Sequence, residues 1–344
     1  LLLTKDYNKK KIVYFPNLTR GEPTMLSPRL HAVTCTSPAG LHRMAYREWG
    51  DPDCDEVILC VHGLTRTGRD FDALASELST RYRVICPDVV GRGLSDWLVN
   101  PAFYALPQYV ADMVTLMARV QPKRLHWIGT SMGGLIGLIY ASAYTQLQMR
   151  HAVHTPSQQH TSLPDACFPL DSFVINDVGP RIEPASLERI GQYVGEDVSF
   201  DCFEDAVAYV QATCASFGHH TTDQWRDLTR YVYIEQSGRW IKHYDLGIAS
   251  AFNQVTPEMA AHAESLLWAA FTSLKIPVQI IRGQQSDLLS EQTCHKMLQT
   301  QPLARLSLIQ GVGHAPTLMD RDQISVVTDF LKHQRLATPS DSRC

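Results

Sequence analysis

Hydrophobic positions along the chain alternate between two periods. Two strands are predicted around His31–Cys35 and His42–Trp49, joined by the turn Ser37-Pro38-Ala39-Gly40. Glu56-Val57-Ile58-Leu59-Cys60-Val61 is an almost continuous apolar run, the mark of a parallel strand covered on both faces. Phe71, Leu74 and Leu78 then recur at helical spacing, Tyr82–Pro87 reads as a strand, and Val110, Met113, Val114 and Met117 mark another helix. A strand over Lys123–Ile128 leads into the apolar helix pattern that starts at Leu135. Strand and helix alternate repeatedly, which predicts a doubly wound, mostly parallel α/β sheet.

After Tyr144 the pattern breaks. Residues 146–171 are polar and carry His151, His154 and His160. Their spacing fits no helical pair and no carboxylate pattern accompanies them, so the segment reads as a surface excursion and no metal site is expected. Ser172–Asn176 resumes the sheet. From 184 to 255 the chain reads as helices (Leu187–Val194, Phe203–Thr213, Asp223–Tyr233) with an isolated strand-like Arg239-Trp240-Ile241. Leu267, Phe271 and Leu274 mark a core helix, Val278–Gly283 a strand, and Arg305–Ile309 with Ile324, Val327 and Leu331 the last strand–helix unit. The expected organisation is a tail over 1–24, a core over 25–183, a helical cap over 184–255, a second core part over 256–336 and a tail over 337–344. The opening Leu1-Leu2-Leu3-Thr4 has no initiating methionine and no signal-peptide pattern, and Met25-Leu26-Ser27-Pro28 reads as a natural start.

Composition narrows the class. Charged residues make up 19% and hydrophobic ones 44% of 344 residues, as in a globular protein with a sizeable core. A net charge of -4 supplies no basic field for nucleic acid, and no apolar run approaches the ~20 residues that span a bilayer. The cysteines are scattered, odd in number and without C-x-x-C, which favours a reducing, cytoplasmic setting over a disulfide framework.

The chemistry sits at strand ends. Gly129-Thr130-Ser131-Met132-Gly133 fits G-x-S-x-G between a strand and a helix, a turn that lifts a serine hydroxyl above the sheet edge at a helix N-terminus. An activated serine needs a base, and the base needs an orienting acid. His314, in Gly311-Val312-Gly313-His314 after the last strand, lies at the same edge and can take and return the serine proton. Asp287, in Gly283-Gln284-Gln285-Ser286-Asp287 after the preceding strand, is the expected acid. Asp177, which also follows a strand at that edge, is its rival. Asp88 reads as a structural carboxylate that pins the Gly91-Arg92-Gly93 loop. The backbone N–H groups of Met132, after the nucleophile, and Leu64, after His62-Gly63, are the expected oxyanion donors.

Together His62-Gly63, Asp88–Ser95, Gly129–Gly134, Ser286-Asp287 and Gly313-His314 resemble the α/β-hydrolase superfamily, and more narrowly its capped bacterial esterase and lactonase-like members. Asn176-Asp177-Val178-Gly179-Pro180 resembles the exit into the cap in some of them. The likeness spans about Leu30 to Leu336. It implies a serine hydrolase that cleaves small or medium carboxylic esters through an acyl-enzyme, without a cofactor and without nucleic-acid or membrane partners. The same triad also serves lactonases, thioesterases, hydrolases of 3-hydroxyalkanoate oligomers and carbon–carbon bond hydrolases. A serine at the elbow argues against dehalogenase and epoxide hydrolase chemistry, which need an aspartate there. A ligand receptor on the same scaffold would not need all three triad members.

Overall fold

A computed structural model describes residues 27–154, 168–251 and 256–337. The expected tail over 1–24, residues 155–167 of the polar stretch with His160, and nearly all of the tail over 337–344 lie outside what can be described; the start of that stretch, with His151 and His154, continues a helix rather than forming a surface excursion.

Eight strands form one sheet in the order β1 (Arg29–Ser37), β2 (Gly40–Trp49), β4 (Arg83–Pro87), β3 (Glu56–Val61), β5 (Arg124–Thr130), β6 (Ser172–Asn176), β10 (Val278–Gly283) and β11 (Ala304–Ile309). β1 and β2 pair antiparallel, as do β2 and β4; every other neighbour is parallel. The parallel strands are apolar on both faces because helices cover both. Along β3, Val57, Leu59 and Val61 join one apolar cluster while Ile58 and Cys60 join another. The first cluster includes α2 (Leu106–Val120), α3 (Met132–His154) and α7 (Pro257–Ser273); the second includes α1 (Asp72–Leu78) and α9 (Arg321–Ala337). α8 (Glu291–Thr300) packs beside β11.

Between β6 and β10 the chain leaves the sheet. It forms α4 (Pro184–Val194), β7 (Ser199–Phe200), α5 (Phe203–Thr213), α6 (Thr222–Arg230), β8 (Tyr233–Gln236) and β9 (Arg239–Lys242). Sequence periodicity carried the α6 helix on to Tyr233. It stops at Arg230 instead, because the β-branched and aromatic run Val232-Tyr233-Ile234 feeds β8, which pairs with β9. Arg239-Trp240-Ile241 is therefore the centre of a three-stranded sheet, β7-β9-β8, and not isolated. This inserted segment has its own apolar cluster, in which Val207, Val210, Trp225 and Leu228 are buried.

No helix among the described residues is long and apolar enough to cross a membrane. Cys35, Cys60, Cys86, Cys202, Cys214 and Cys294 are free thiols, and Cys54 is disulfide-bonded.

Trp127 ties the sheet to the helix that follows it. It is fully buried on β5, rests against Tyr140 and Phe173, and donates its indole N–H to the Gly133 carbonyl at 3.0 Å. Trp127→Ala is expected to cost about 3–5 kcal/mol in urea unfolding; a loss below about 1 kcal/mol would contradict this packing.

Candidate active site

Ser131 occupies a sharp turn between β5 and α3, with φ at +52°. That left-handed conformation is costly for a residue with a side chain and persists only where the surroundings enforce it. Here the glycines on either side make room for it. A Cβ on Gly129 would lie 2.4 Å from the Gly133 carbonyl carbon, and one on Gly133 only 1.9 Å from the Val61 oxygen. The Ser131 N–H donates to the Asn176 carbonyl at 2.9 Å, which stitches the turn to the end of β6.

His314 follows β11 and faces Ser131 across the strand ends. Its Nε2 is 3.0 Å from Ser131 Oγ, and its Nδ1 is 2.8 Å from Asp177 Oδ2. A carboxylate can only accept, so Nδ1 carries the proton and Nε2 presents its lone pair to the serine hydroxyl. Asp177 is fully buried directly after β6, with φ at +55°. Its Oδ1 accepts the Gly283 N–H at 2.9 Å, and its Oδ2 also accepts the Ser286 hydroxyl at 2.7 Å. Asp177 thus accepts from three donors.

Asp287, the acid expected from the sequence, makes no hydrogen bond to His314. It lies further along the loop after β10, half-exposed, where Arg189 of α4 grips it with two bonds of 2.8 and 2.9 Å. Burial pushes its carboxyl up, but Arg189 outweighs that and holds it below the ordinary carboxylate value. The physical reason is the turn at Ser286. The Ser286 hydroxyl accepts the N–H groups of Leu288 and Leu289 while donating to Asp177, and this turns the chain away from the histidine. One signal favoured Asp177 from the start: it follows its strand without an intervening residue, as Ser131 does, whereas three residues separate Gly283 from Asp287.

The two expected oxyanion donors flank the serine. Met132 opens α3, so its N–H has no partner within the helix. Leu64 lies in the loop after β3, and both residues line the pocket that contains Ser131. Arg92, fully buried, braces this corner. Its Nε donates to the Leu64 carbonyl at 2.8 Å, its Nη1 bonds the Val90 carbonyl and Tyr109 hydroxyl, and its Nη2 approaches Met132 Sδ at 3.6 Å. Sequence reasoning gave Arg92 no role, since nothing in a Gly-Arg-Gly loop tells that its side chain turns inward. Asp88 does hold that loop, accepting the N–H groups of Leu94 at 3.0 Å and Gly68 at 2.8 Å.

His62 fixes the start of the Leu64 loop. It is fully buried; Nδ1 donates to the Gly63 carbonyl at 2.7 Å and Nε2 accepts the Val89 N–H at 2.9 Å. Both nitrogens are engaged by the neutral tautomer, and burial lowers the pKa to about 4 despite the Gly63 carbonyl and Asp88.

The pocket has two lobes that share Leu64, Ser131 and Ile190. One is apolar, walled by Met132, Leu135, Val178, Ile182 and Leu288. The other carries more polar groups on a still largely apolar lining and is the polar lobe of the pair; His314 opens onto it alone, together with Arg66 and Tyr193. Of the aromatics in the inserted segment, Tyr193, Tyr209, Phe217, Tyr233 and Tyr244 line this polar lobe. Trp225 is buried within the segment, Trp240 packs on Phe203, and Tyr231 stacks against Arg69. Cys35, His42 and Asp112 are the one trio of potential metal ligands among the described residues. It lies at the β1–β2 edge and outside both lobes, with His42 and Asp112 already hydrogen-bonded at 3.1 Å.

The alpha/beta hydrolase fold family matches residues 56–175. Over 308 residues the chain is 46% identical to a 3-hydroxybutyrate-oligomer hydrolase of Cupriavidus necator, covering 88% of this chain and 98% of that one. It is 32% identical to an alpha/beta hydrolase from Novosphingobium aromaticivorans whose crystal structure superposes with a TM-score of 0.72, covering 88% and 98% of the two chains. A pimeloyl-[acyl-carrier protein] methyl ester esterase of Aeromonas hydrophila is 24% identical over 275 residues, 80% of this chain and 94% of that one. The chain belongs to the α/β-hydrolase superfamily and is a hydrolase.

The buried neutral His62 makes stability depend on pH. Its folded pKa is depressed, so the unfolded chain takes up the proton first as pH falls; the stability is complete above 6.5 and is lost toward 4. Between those values the unfolding free energy of the native protein is expected to fall by up to about 3 kcal/mol more than that of His62→Gln. Parallel pH profiles in urea titrations would contradict this.

Proposed function

We propose that this protein is a serine hydrolase that cleaves the ester bonds of 3-hydroxybutyrate oligomers through an acyl-enzyme. The observation that carries the reaction is the hydrogen-bond line from Ser131 Oγ through His314 to Asp177. Similarity to the Cupriavidus necator relative supports the substrate class, and the pocket supports a small ester over a long-chain lipid.

In this reading Ser131 Oγ attacks the ester carbonyl carbon as His314 Nε2 takes its proton. The carbonyl oxygen becomes an oxyanion facing the N–H groups of Leu64 and Met132, where the positive end of α3 adds to their effect. Asp177 holds the imidazole tautomer and stabilises the imidazolium. As the carbon–oxygen bond breaks, His314 returns the proton to the departing alcohol. Water then enters, loses a proton to His314 and attacks the acyl carbon. The second tetrahedral species collapses to the free acid and the Ser131 hydroxyl.

The segment that begins at Pro184 acts here as a lid. Ile190, Tyr193, Tyr209, Tyr233 and Tyr244 come from it and close the pocket over Ser131, which keeps bulk water from the oxyanion and limits the substrate.

Ser131→Ala is expected to lose at least ~10³-fold in kcat on 3-hydroxybutyrate dimer while keeping its fold by circular dichroism. The native protein should cleave that dimer with a kcat/KM at least ~10-fold above that for p-nitrophenyl palmitate. Turnover by Ser131→Ala would overturn the mechanism, and preference for the long-chain ester would overturn the substrate class.

A further inference from the structure

The two lobes differ in chemistry, and the reaction assigns them different halves of the ester. His314 must hand its proton to the departing alcohol, and it opens only onto the polar lobe. Met132 and Leu135, at the start of α3, line only the apolar lobe. The alcohol half therefore leaves into the polar lobe, and the acyl half lies in the apolar one. In a 3-hydroxybutyrate oligomer the alcohol half is the half that retains the free terminal carboxylate.

The polar lobe is equipped for an anion. No aspartate or glutamate lines it. Arg66, in the loop after β3, commits Nε and Nη2 to Asp70 at 2.7 Å each, and Nη2 also to the Leu228 carbonyl at 2.9 Å. Its Nη1 has no hydrogen-bond partner among the described residues. Arg189 is likewise paired through Nε and Nη2, with Asp287, and Lys242 is held by the carbonyls of Tyr193 and Glu196 at 2.7 Å each. Tyr233 is 4% exposed and lines the lobe, yet its hydroxyl makes no hydrogen bond among the described residues; nor does that of Tyr193. Both hydroxyls are protonated at neutral pH, as tyrosines ordinarily are, and burial pushes Tyr193 up to about 12 and raises Tyr233 as well, so each can donate. The stem of Arg66 passes close to the reacting centre, with its guanidinium over the Phe217 ring. A Cβ placed on Gly63 would touch Arg66 Cγ at 3.7 Å and Ser131 Cβ at 3.8 Å. A ligand carrying two acceptor oxygens would give these lobe-lining donors partners.

We propose that Arg66 Nη1 and the hydroxyls of Tyr193 and Tyr233 form a subsite for the terminal carboxylate of the oligomer, so that the enzyme cuts the ester bond nearest the carboxyl end. This rests on the oligomer-hydrolase reading above and adds a direction to it. A guanidinium and two neutral donors match a carboxylate, whose lone pairs accept from all three. The acyl half, ending in a hydroxyl and carrying methyl groups, suits the apolar lobe.

The test compares 3-hydroxybutyrate dimer with the same dimer capped as its terminal carboxamide, in the native protein, Tyr233→Phe and Arg66→Gln. The kcat/KM ratio of free acid to carboxamide is expected to exceed about 10 in the native protein and to fall at least about fivefold in each variant, mostly through KM. Tyr233→Phe removes only a hydroxyl, so it serves even if Arg66→Gln fails to fold. Equal cleavage of both dimers, or a ratio unmoved in Tyr233→Phe, overturns the subsite and leaves the oligomer reading intact. If neither dimer is cleaved while p-nitrophenyl butyrate is, the oligomer reading falls and the subsite with it.

Discussion

The site depends on how closely the turn after β5 approaches the end of β3. Gly133 lies so near the Val61 carbonyl that no side chain fits between them. This contact places the first N–H groups of α3 beside the loop that carries Leu64, and it forces Ser131 into its left-handed conformation. The Ser131 N–H then bonds the last carbonyl of β6, so the residue after that carbonyl, Asp177, is fixed relative to the serine by backbone alone. His314 needs only one loop after β11 to bridge the two. Buried groups brace this arrangement from behind: neutral His62 under the Leu64 loop, and Arg92 between that loop and Met132.

Most of this is legible in the sequence, because the informative residues are local. Glycines around Ser131, apolar runs covered on both faces and a glycine-flanked histidine after the last strand each state their own requirement. The choice of acid is not local. Asp177 and Asp287 both follow strands at the same edge, and which one meets His314 is decided by the Ser286 hydroxyl and by the pull of Arg189 from α4. Neither contact can be read from spacing. The inserted segment shows the same limit. Helical periodicity continues through Val232 and Tyr233, and only the partner strand β9 draws those residues out of the helix and turns Tyr233 toward the pocket.

The pocket gains its asymmetry from two parts of the chain. The core supplies most of the apolar lobe through the start of α3, the residues after β6 and Leu288, with Leu187, Ile190 and Ile248 added by the inserted segment. The inserted segment supplies most of the polar lobe through its tyrosines. A hydrolase built this way can keep its chemistry constant in the core while its choice of substrate changes in the segment above. The proposed direction of oligomer cleavage follows from that division, since the histidine opens onto one lobe only.

The central claim is that Asp177, and not Asp287, orients His314. The most direct measurement is the rate at which a fluorophosphonate labels Ser131, followed by intact mass, in Asp177→Asn and Asp287→Asn. Labelling reads the serine–histidine pair without depending on any substrate. Asp177→Asn is expected to label at least ~10³-fold more slowly than the native protein, and Asp287→Asn within about tenfold of it. The reverse ranking would contradict the account and return the role of the acid to the loop after β10.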